Sequence, residues 1–307
     1  MSMDTIAGRL HFPTDKKTLG GLMVLAAEAG FGTLAVFGKL ANTIGLSTST
    51  MLLFRFIIAT IAVWVIFGVH GQARFLSGRP LWIALALGVI YGIMNGLFFE
   101  GLDYLSAGLA AIIFYTYPVY VFVVATAVLN ERLTYLKILA LSIAVVGVVL
   151  IAGANPTEAK PIGFVLLLLS AIAYATYMTG IRAALSSVDS ETLTATALIA
   201  TTLSMVPFGM MSGGLSIPIG ADQWLLVFGI GFIGTAVPVI LLFQGLNWVE
   251  ASHASIIGTS EPMMTVLLGV VLLNETVTPI TVAGGGFILF GVVLIQRDSR
   301  KTEPGTQ

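Results

Sequence analysis

Ten stretches of about 20 mostly apolar residues follow one another along this chain, each the length that crosses the hydrocarbon core of a bilayer. They run roughly over 18–41, 47–68, 80–101, 106–129, 134–153, 161–184, 191–212, 222–246, 252–273 and 277–296. In lipid, backbone polar groups must pair within a helix or around a closed barrel. These blocks are continuously apolar rather than alternating, so each predicts a helix. Of the 307 residues, 57% are hydrophobic and 9% charged, against about 25% charged in an ordinary soluble domain. So few charges cannot coat a water-exposed surface, which excludes a soluble globular enzyme. The expected fold class is all-α integral membrane, with ten transmembrane helices and mostly short connections.

Several chemistries are excluded by residue type. Without cysteine there is no disulfide, thiolate nucleophile, iron–sulfur cluster or Cys-ligated zinc. The three histidines, His11, His70 and His253, are too scattered for a metal cage. A net charge of −1 argues against a nucleic-acid binder. Gly229-Ile230-Gly231-Phe232-Ile233-Gly234 fits GxGxxG but lies inside an apolar span, whereas a dinucleotide site needs a strand before it and a helix after it. No phosphate-binding GxxxxGK[ST] loop occurs, so nothing supports ATP-driven pumping. No cofactor and no metal are expected.

Lys and Arg set the expected orientation. Arg9, Lys16, Lys17, Arg74, Arg79, Arg132, Lys137, Arg182, Arg297, Arg300 and Lys301 fall on one side. The other side has Lys39 and Lys160, and Arg55 lies within a span. Both termini are therefore expected in the cytoplasm, with tails at 1–17 and 297–307. The first apolar block, about 24 residues long, exceeds a signal-peptide core and reads as an uncleaved span. The expected location is the plasma (inner) membrane.

The second half repeats the first at an offset of 144 residues. Pro118 meets Pro262, and Asn130-Glu131 meets Asn274-Glu275. Gly147-Val148-Val149-Leu150-Ile151 meets Gly291-Val292-Val293-Leu294-Ile295. At an offset of 143, Phe31, Thr33 and Lys39 meet Tyr174, Thr176 and Arg182. Each repeat, 18–153 and 161–296, holds five spans. Five is odd, so the second repeat enters the membrane inverted. Inverted repeats are the architecture of many secondary transporters, with cargo bound near the midplane between them.

The chain resembles the EamA branch of the drug/metabolite transporter superfamily. The likeness rests on two five-span halves, Pro118 with Asn130-Glu131-Arg132-Leu133, Pro262 with Asn274-Glu275, the Glu261-Pro262 pair, and Arg55-Phe56. It implies a ten-helix carrier with both termini cytoplasmic. The branch includes exporters of amino acids and related metabolites; sister branches carry sugars, nucleotide-sugars and phosphorylated metabolites.

Candidate residues follow from the cost of polar groups in lipid. Glu28 and Glu261 lie mid-span, where a carboxylate is expensive and therefore a functional candidate, for cargo or for a coupling proton. The tyrosines Tyr91, Tyr115, Tyr117, Tyr174 and Tyr177, with Asn95 one turn from Tyr91, lie away from the interfaces where Tyr is ordinarily found. Together they predict a polar, aromatic-lined cavity. Pro118 and Pro262 are expected as hinges or kinks. Arg55, Glu131 and Glu275 are expected as structural polar residues, with Arg55 at a depth that also allows pairing with Glu28. Gly88, Gly92 and Gly96 form a small-residue ladder for close helix packing.

The expected function is secondary active transport, as an exporter of small amphipathic metabolites such as amino acids, driven by a proton gradient or by the cargo's own gradient. Alternatives are cargo of the sister branches, an intramembrane enzyme or a channel. The expected partners are the lipid bilayer, the small-molecule cargo and protons, with no nucleic acid. Two repeats in one chain suffice for a monomer.

Overall fold

The computed structural model describes residues 15–71, 74–105, 107–152, 160–211, 214–273 and 278–301. They form thirteen α-helices and one π-helical turn. These are α1 (Lys16–Thr43), α2 (Thr48–Val69), α3 (Gly78–Leu102), α4 (Ala107–Phe114), α5 (Tyr117–Leu129), α6 (Tyr135–Ala152), α7 (Pro161–Ala184), α8 (Ser190–Met211), α9 (Gly220–Gly231), the π turn (Phe232–Ala236), α10 (Val237–Leu246), α11 (Ala251–Gly258), α12 (Glu261–Leu273) and α13 (Pro279–Lys301). No strand occurs among the described residues. Among the described residues, seven helical segments are by themselves long and apolar enough to cross a membrane. Shorter apolar helices over Tyr117–Leu129, Tyr135–Leu150 and Val282–Ile295 stand in the fourth, fifth and tenth spans. α13 runs on past the expected span end at 296.

Local chemistry sets many of the boundaries. Ser47 caps α2 by accepting from the Thr50 N–H at 3.4 Å. Pro161 opens α7, where its missing N–H costs nothing. Asn130 ends α5 in the left-handed region at φ 55°.

The fourth and ninth spans are each two half-helices. Proline has no N–H to give the carbonyl four residues back, and its ring crowds that carbonyl. Counting back from Pro118 gives Phe114, the last residue of α4; counting back from Pro262 gives Gly258, the last residue of α11. Tight i+3 bonds close both ends, Thr116 N to Ile113 O at 3.2 Å and Thr259 N to Ile256 O at 3.2 Å. The eighth span is interrupted by the π turn just before Pro238.

Glycine packing displays an internal two-fold. Gly20 of α1 faces Trp248 and Val249, and Gly163 of α7 faces Tyr104 and Leu105. Gly101 faces Leu167, and Gly245 faces Val24. Gly147 of α6 meets Gly284 and Ile288 of α13, and Gly291 meets Ala140 and Ala144 in return. Each pair is one contact seen twice, from opposite halves. α3 packs on α7 and α8, as α9–α10 packs on α1 and α2.

The helix ends gather into two faces. The start of α1 lies by residues 245–249, and Lys137 reaches Glu250, which defines the N-terminal face. On the far face Thr50 meets Ser216, Gln223 reaches the Ile44 carbonyl, and the Lys160 N–H bonds the Tyr104 carbonyl.

Candidate functional site

A cavity of about 430 Å³ lies between the two repeats. Its walls come from α1 (Phe31 to Gly38), the start of α2 (Met51, Arg55), the second half of α3 (Tyr91 to Leu102), α4, and the start of α12 (Glu261 to Val266), with Tyr174 from α7. The contributing stretches of α1 and α3 run up to Gly38 and Leu102, so the cavity occupies the half of the molecule toward the far face. The two charged residues in its wall are Arg55 and Glu261.

Arg55 is 1% exposed. Its Nε donates to the Thr235 hydroxyl at 2.9 Å, and its guanidinium lies 4.5 Å from the Phe56 ring centroid. Thr235 in turn donates to the Ile230 carbonyl at 2.9 Å, five residues back, inside the π turn. The π turn also explains a slip in the repeat. Gly88 of α3 packs on α8, and Gly231, 143 residues on, packs on α2; beyond the π turn the equivalent pairs, such as Gly101 and Gly245, are 144 apart. One extra residue in the second repeat is absorbed by the wider turn, and the same turn presents Thr235 to Arg55. No Arg55–Glu28 ion pair within 4.0 Å forms between these two described residues, which corrects the pairing their depths allowed.

Glu261 begins α12, where the unsatisfied backbone donors of a helix N-terminus favour a carboxylate. The Tyr115 hydroxyl lies beside it.

Under the cavity lies an aromatic floor. Tyr91 stacks on Tyr177 with ring centroids 4.5 Å apart, Tyr174 meets Tyr117 edge-on at 4.7 Å, and Tyr177 meets Phe243 at 6.1 Å. Tyr117 donates its hydroxyl to the Ser255 carbonyl at 3.1 Å, serving an acceptor at the interrupted end of α11. Glu28 lies below the floor and is 1% exposed, and its Oε1 has no hydrogen-bond partner. A Cβ placed on Gly258 would stand 2.0 Å from the Tyr117 hydroxyl and 3.5 Å from that Glu28 oxygen, so the three groups share one spot beside the α11 end.

The candidates thus divide. Tyr91, Asn95, Tyr115, Tyr174 and Glu261 line the cavity, with Pro262. Glu28, Tyr117 and Tyr177 lie beneath it, and Pro118 opens α5 beside them. Arg55, expected only as structural, is in the wall. Glu275 lies outside the described residues. Sequence reasoning passed over the phenylalanines Phe31, Phe98, Phe99 and Phe114, which are ordinary in an apolar span, and Thr235, whose position depends on the π turn. Pro238, four residues past Gly234, was the available signal for that turn.

At the N-terminal face a charged cluster joins the repeats. Glu131, just past α5, accepts from the first N–H groups of α11, Ala251 at 2.9 Å and Ser252 at 3.2 Å, and from the Ser252 hydroxyl. Lys137, 2% exposed at the start of α6, stands 2.5 Å from Glu250 Oε2 and 3.9 Å from Glu131 Oε2, and donates to the Arg132 carbonyl at 2.9 Å. His253 Nδ1 lies 3.0 Å from Glu250 Oε2. Burial pushes the Glu250 carboxyl up, but the hydrogen bonds and charges of His253 and Lys137 outweigh it and hold it down at about 2.

A second hollow, of about 470 Å³, lies between α3 and α8, against Gly92, Gly96, Glu100 and Phe208. Gly92 and Gly96 approach α8 closely there, against Ser204 and Phe208. This hollow brings one charged group, Glu100, and no converging partner, so the central cavity is the better candidate site.

Ten helical spans in two five-span halves, around a cavity walled mostly by aromatic and apolar side chains, define a multi-pass membrane protein. The EamA-like transporter family matches twice, over residues 18–153 and 161–297. The chain is 30% identical over 288 residues to an uncharacterized transporter of Archaeoglobus fulgidus, covering 90% of this chain and 98% of that protein. It is 27% identical over 299 residues to the uncharacterized transporter YcbK of Bacillus subtilis, covering 93% and 95%. A crystal structure with a TM-score of 0.79 covers 92% of this chain and 98% of its own, at 17% identity, a likeness of fold. The chain belongs to the EamA-like transporter family.

Proposed function

We propose that this transporter carries small amphipathic metabolites with both an anionic and a cationic group, amino acids being the simplest, by alternating access between its inverted repeats. One observation carries the reading. Arg55 and Glu261 stand in the wall of one aromatic cavity, with no ion pair within 4.0 Å between them among the described residues. A zwitterion meets both charges at once, its carboxylate toward Arg55 and its ammonium toward Glu261, while its apolar part packs on Phe31, Phe98 and Phe114. A buried unpaired charge is costly, so a cargo that neutralises both is favoured over a neutral sugar.

In this reading the N-terminal face is cytoplasmic, as the cation bias argues, and the membrane is the plasma membrane. The cavity then faces outward. The aromatic floor and α11 close the inner side, and Glu28 beneath the floor takes up a coupling proton. Net export follows when cargo loaded from inside is released into the outward cavity.

Counterflow tests this. Purified protein in liposomes is loaded with pooled amino acids, sugars, phosphorylated metabolites and nucleobases, and labelled counterparts are supplied outside. Selective entry of amino acids is expected. Exchange confined to sugars or phosphates overturns the zwitterion reading, and no exchange by folded protein overturns the carrier reading.

A further inference from the structure

We infer that Lys137, with Glu131, Glu250 and His253, is a latch that holds the N-terminal face shut and must part before the cavity can open to that side. The inference rests on the alternating-access reading, and its test reads accessibility without any cargo.

The cluster is placed as a latch must be. Glu131 and Lys137 come from the first repeat, at the α5–α6 connection; Glu250 and His253 come from the second, at the start of α11. α11 is one of the four half-helices at the span breaks, and its far end carries the floor, where Tyr117 holds the Ser255 carbonyl. Glu131 fixes the other end of α11 through its first two N–H groups. An eight-residue helix tied at both ends to the first repeat cannot swing away from it. Lys137 adds the cation between the two acids, where it is almost wholly buried.

The repeat supplies a second, independent argument. Under the internal two-fold, Glu131 is matched by Glu275, but Lys137 is matched by Thr281, Glu250 by Ser106 and His253 by Leu109. The capping carboxylate belongs to both halves of the sequence; the charges around it belong to one. A molecule whose two gates were equal would need the same residues at both. The added ion pairs on the N-terminal face bias the equilibrium toward the state in which that face is closed, which is the state seen here. The latch thereby also sets how rarely the empty carrier exposes its site inward.

The absence of cysteine makes the test clean. Ser255 of α11 is 0% exposed, and its equivalent, Ala111 of α4, lines the cavity. Single-cysteine variants Ser255→Cys and Ala111→Cys are labelled with a membrane-impermeant maleimide, applied to the N-terminal face for the first and to the far face for the second. In the parent chain Ala111→Cys reacts quickly and Ser255→Cys slowly. Adding Lys137→Met is expected to speed Ser255→Cys labelling by about tenfold, the scale of one lost charged hydrogen bond, while Ala111→Cys labelling, which already reports the dominant state, does not speed up. Glu250→Gln, at a more exposed position, should give the same pattern and serves where Lys137→Met does not fold. Faster labelling at Ser255→Cys alone distinguishes a moved gate from general loosening, which would speed both. Unchanged labelling in folded Lys137→Met or Glu250→Gln protein, or faster labelling at both sites, overturns the latch. Counterflow in the same vesicles reports on the carrier reading separately.

Discussion

At the scale of single residues, the carboxylates divide by what surrounds them. Glu28 has an unpartnered oxygen in an apolar interior, an environment that penalises its charge. Glu261 has a helix N-terminus, Tyr115 and the water-accessible cavity. If Glu28 is the proton group, Glu28→Gln should abolish uphill accumulation driven by a pH gradient while sparing downhill counterflow. A Glu28→Gln protein that still concentrates cargo against its gradient would remove Glu28 from the mechanism. Glu250 makes the opposite case, with its carboxyl held at about 2 against an ordinary 4.5 by His253 and Lys137, which face it together with Glu131 behind the lysine. A carboxyl lowered in the closed structure stabilises that structure fully above its ordinary value and less as pH falls from about 4.5 toward 2. Closed-state stability should therefore drop across that acid window. Thermal unfolding in detergent at pH 6 and pH 3 checks this, with Glu250→Gln showing the smaller difference. Both mid-span acids were legible in the sequence because lipid makes any carboxylate conspicuous. Their division into cavity wall and sub-floor was not, because depth along a helix says nothing of its rotation.

At the scale of elements, three proline-marked interruptions build the site, two of them open to view in the sequence and one not. Pro118 and Pro262 were visible as repeated mid-span prolines, and counting back four residues places both breaks. The π turn was hidden, since its inserted residue appears only as a slip from 143 to 144 in the repeat offset, which reads as a loop difference until contacts fix both registers. The tether of Arg55 was hidden with it, for Thr235 belongs to that turn. Glycine at the α11 end is a further requirement of the broken span. A methyl group on Gly258 would lie 2.0 Å from the Tyr117 hydroxyl, so Gly258→Ala should destabilise the protein by about 1–3 kcal/mol, the usual cost of overpacking. Removing the hydroxyl removes the clash and also leaves the Ser255 carbonyl without its donor. Gly258→Ala should therefore cost less in a Tyr117→Phe background than in the parent. Equal costs in both backgrounds, by thermal denaturation, would show that the hydroxyl is not what the glycine accommodates.

At the scale of the whole molecule, the two-fold separates scaffold from site. α6 and α13 pack against each other through Gly147 and Gly291 and, among the described residues, contribute nothing to the cavity wall. α3 contributes one face of its second half, Tyr91 to Leu102, to that wall while Gly88 approaches the Ala197 carbonyl of α8. The apolar blocks and the five-span repeat gave away the ten-helix plan, because bilayer thickness and an odd span number dictate it. Which pairs of helices carry the cavity and which only brace it depends on packing that apolar composition does not encode. The difference is measurable with one kind of substitution. A Cβ on Gly147 would stand 2.6 Å from the Gly284 carbonyl, and one on Gly88 2.0 Å from the Ala197 carbonyl. Neither carbonyl can yield without moving its helix, so both alanine variants should lower thermal stability. Gly147→Ala should nevertheless keep its counterflow rate per folded molecule, since the strained pair lies outside the cavity. Gly88→Ala should lose rate by about tenfold or more, because displacing α3 moves Tyr91 and Asn95 in the wall, and sub-ångström placement governs transition-state binding. Equal loss of exchange in the two variants would mean that the outer pair moves in transport, and that the bundle has no fixed brace.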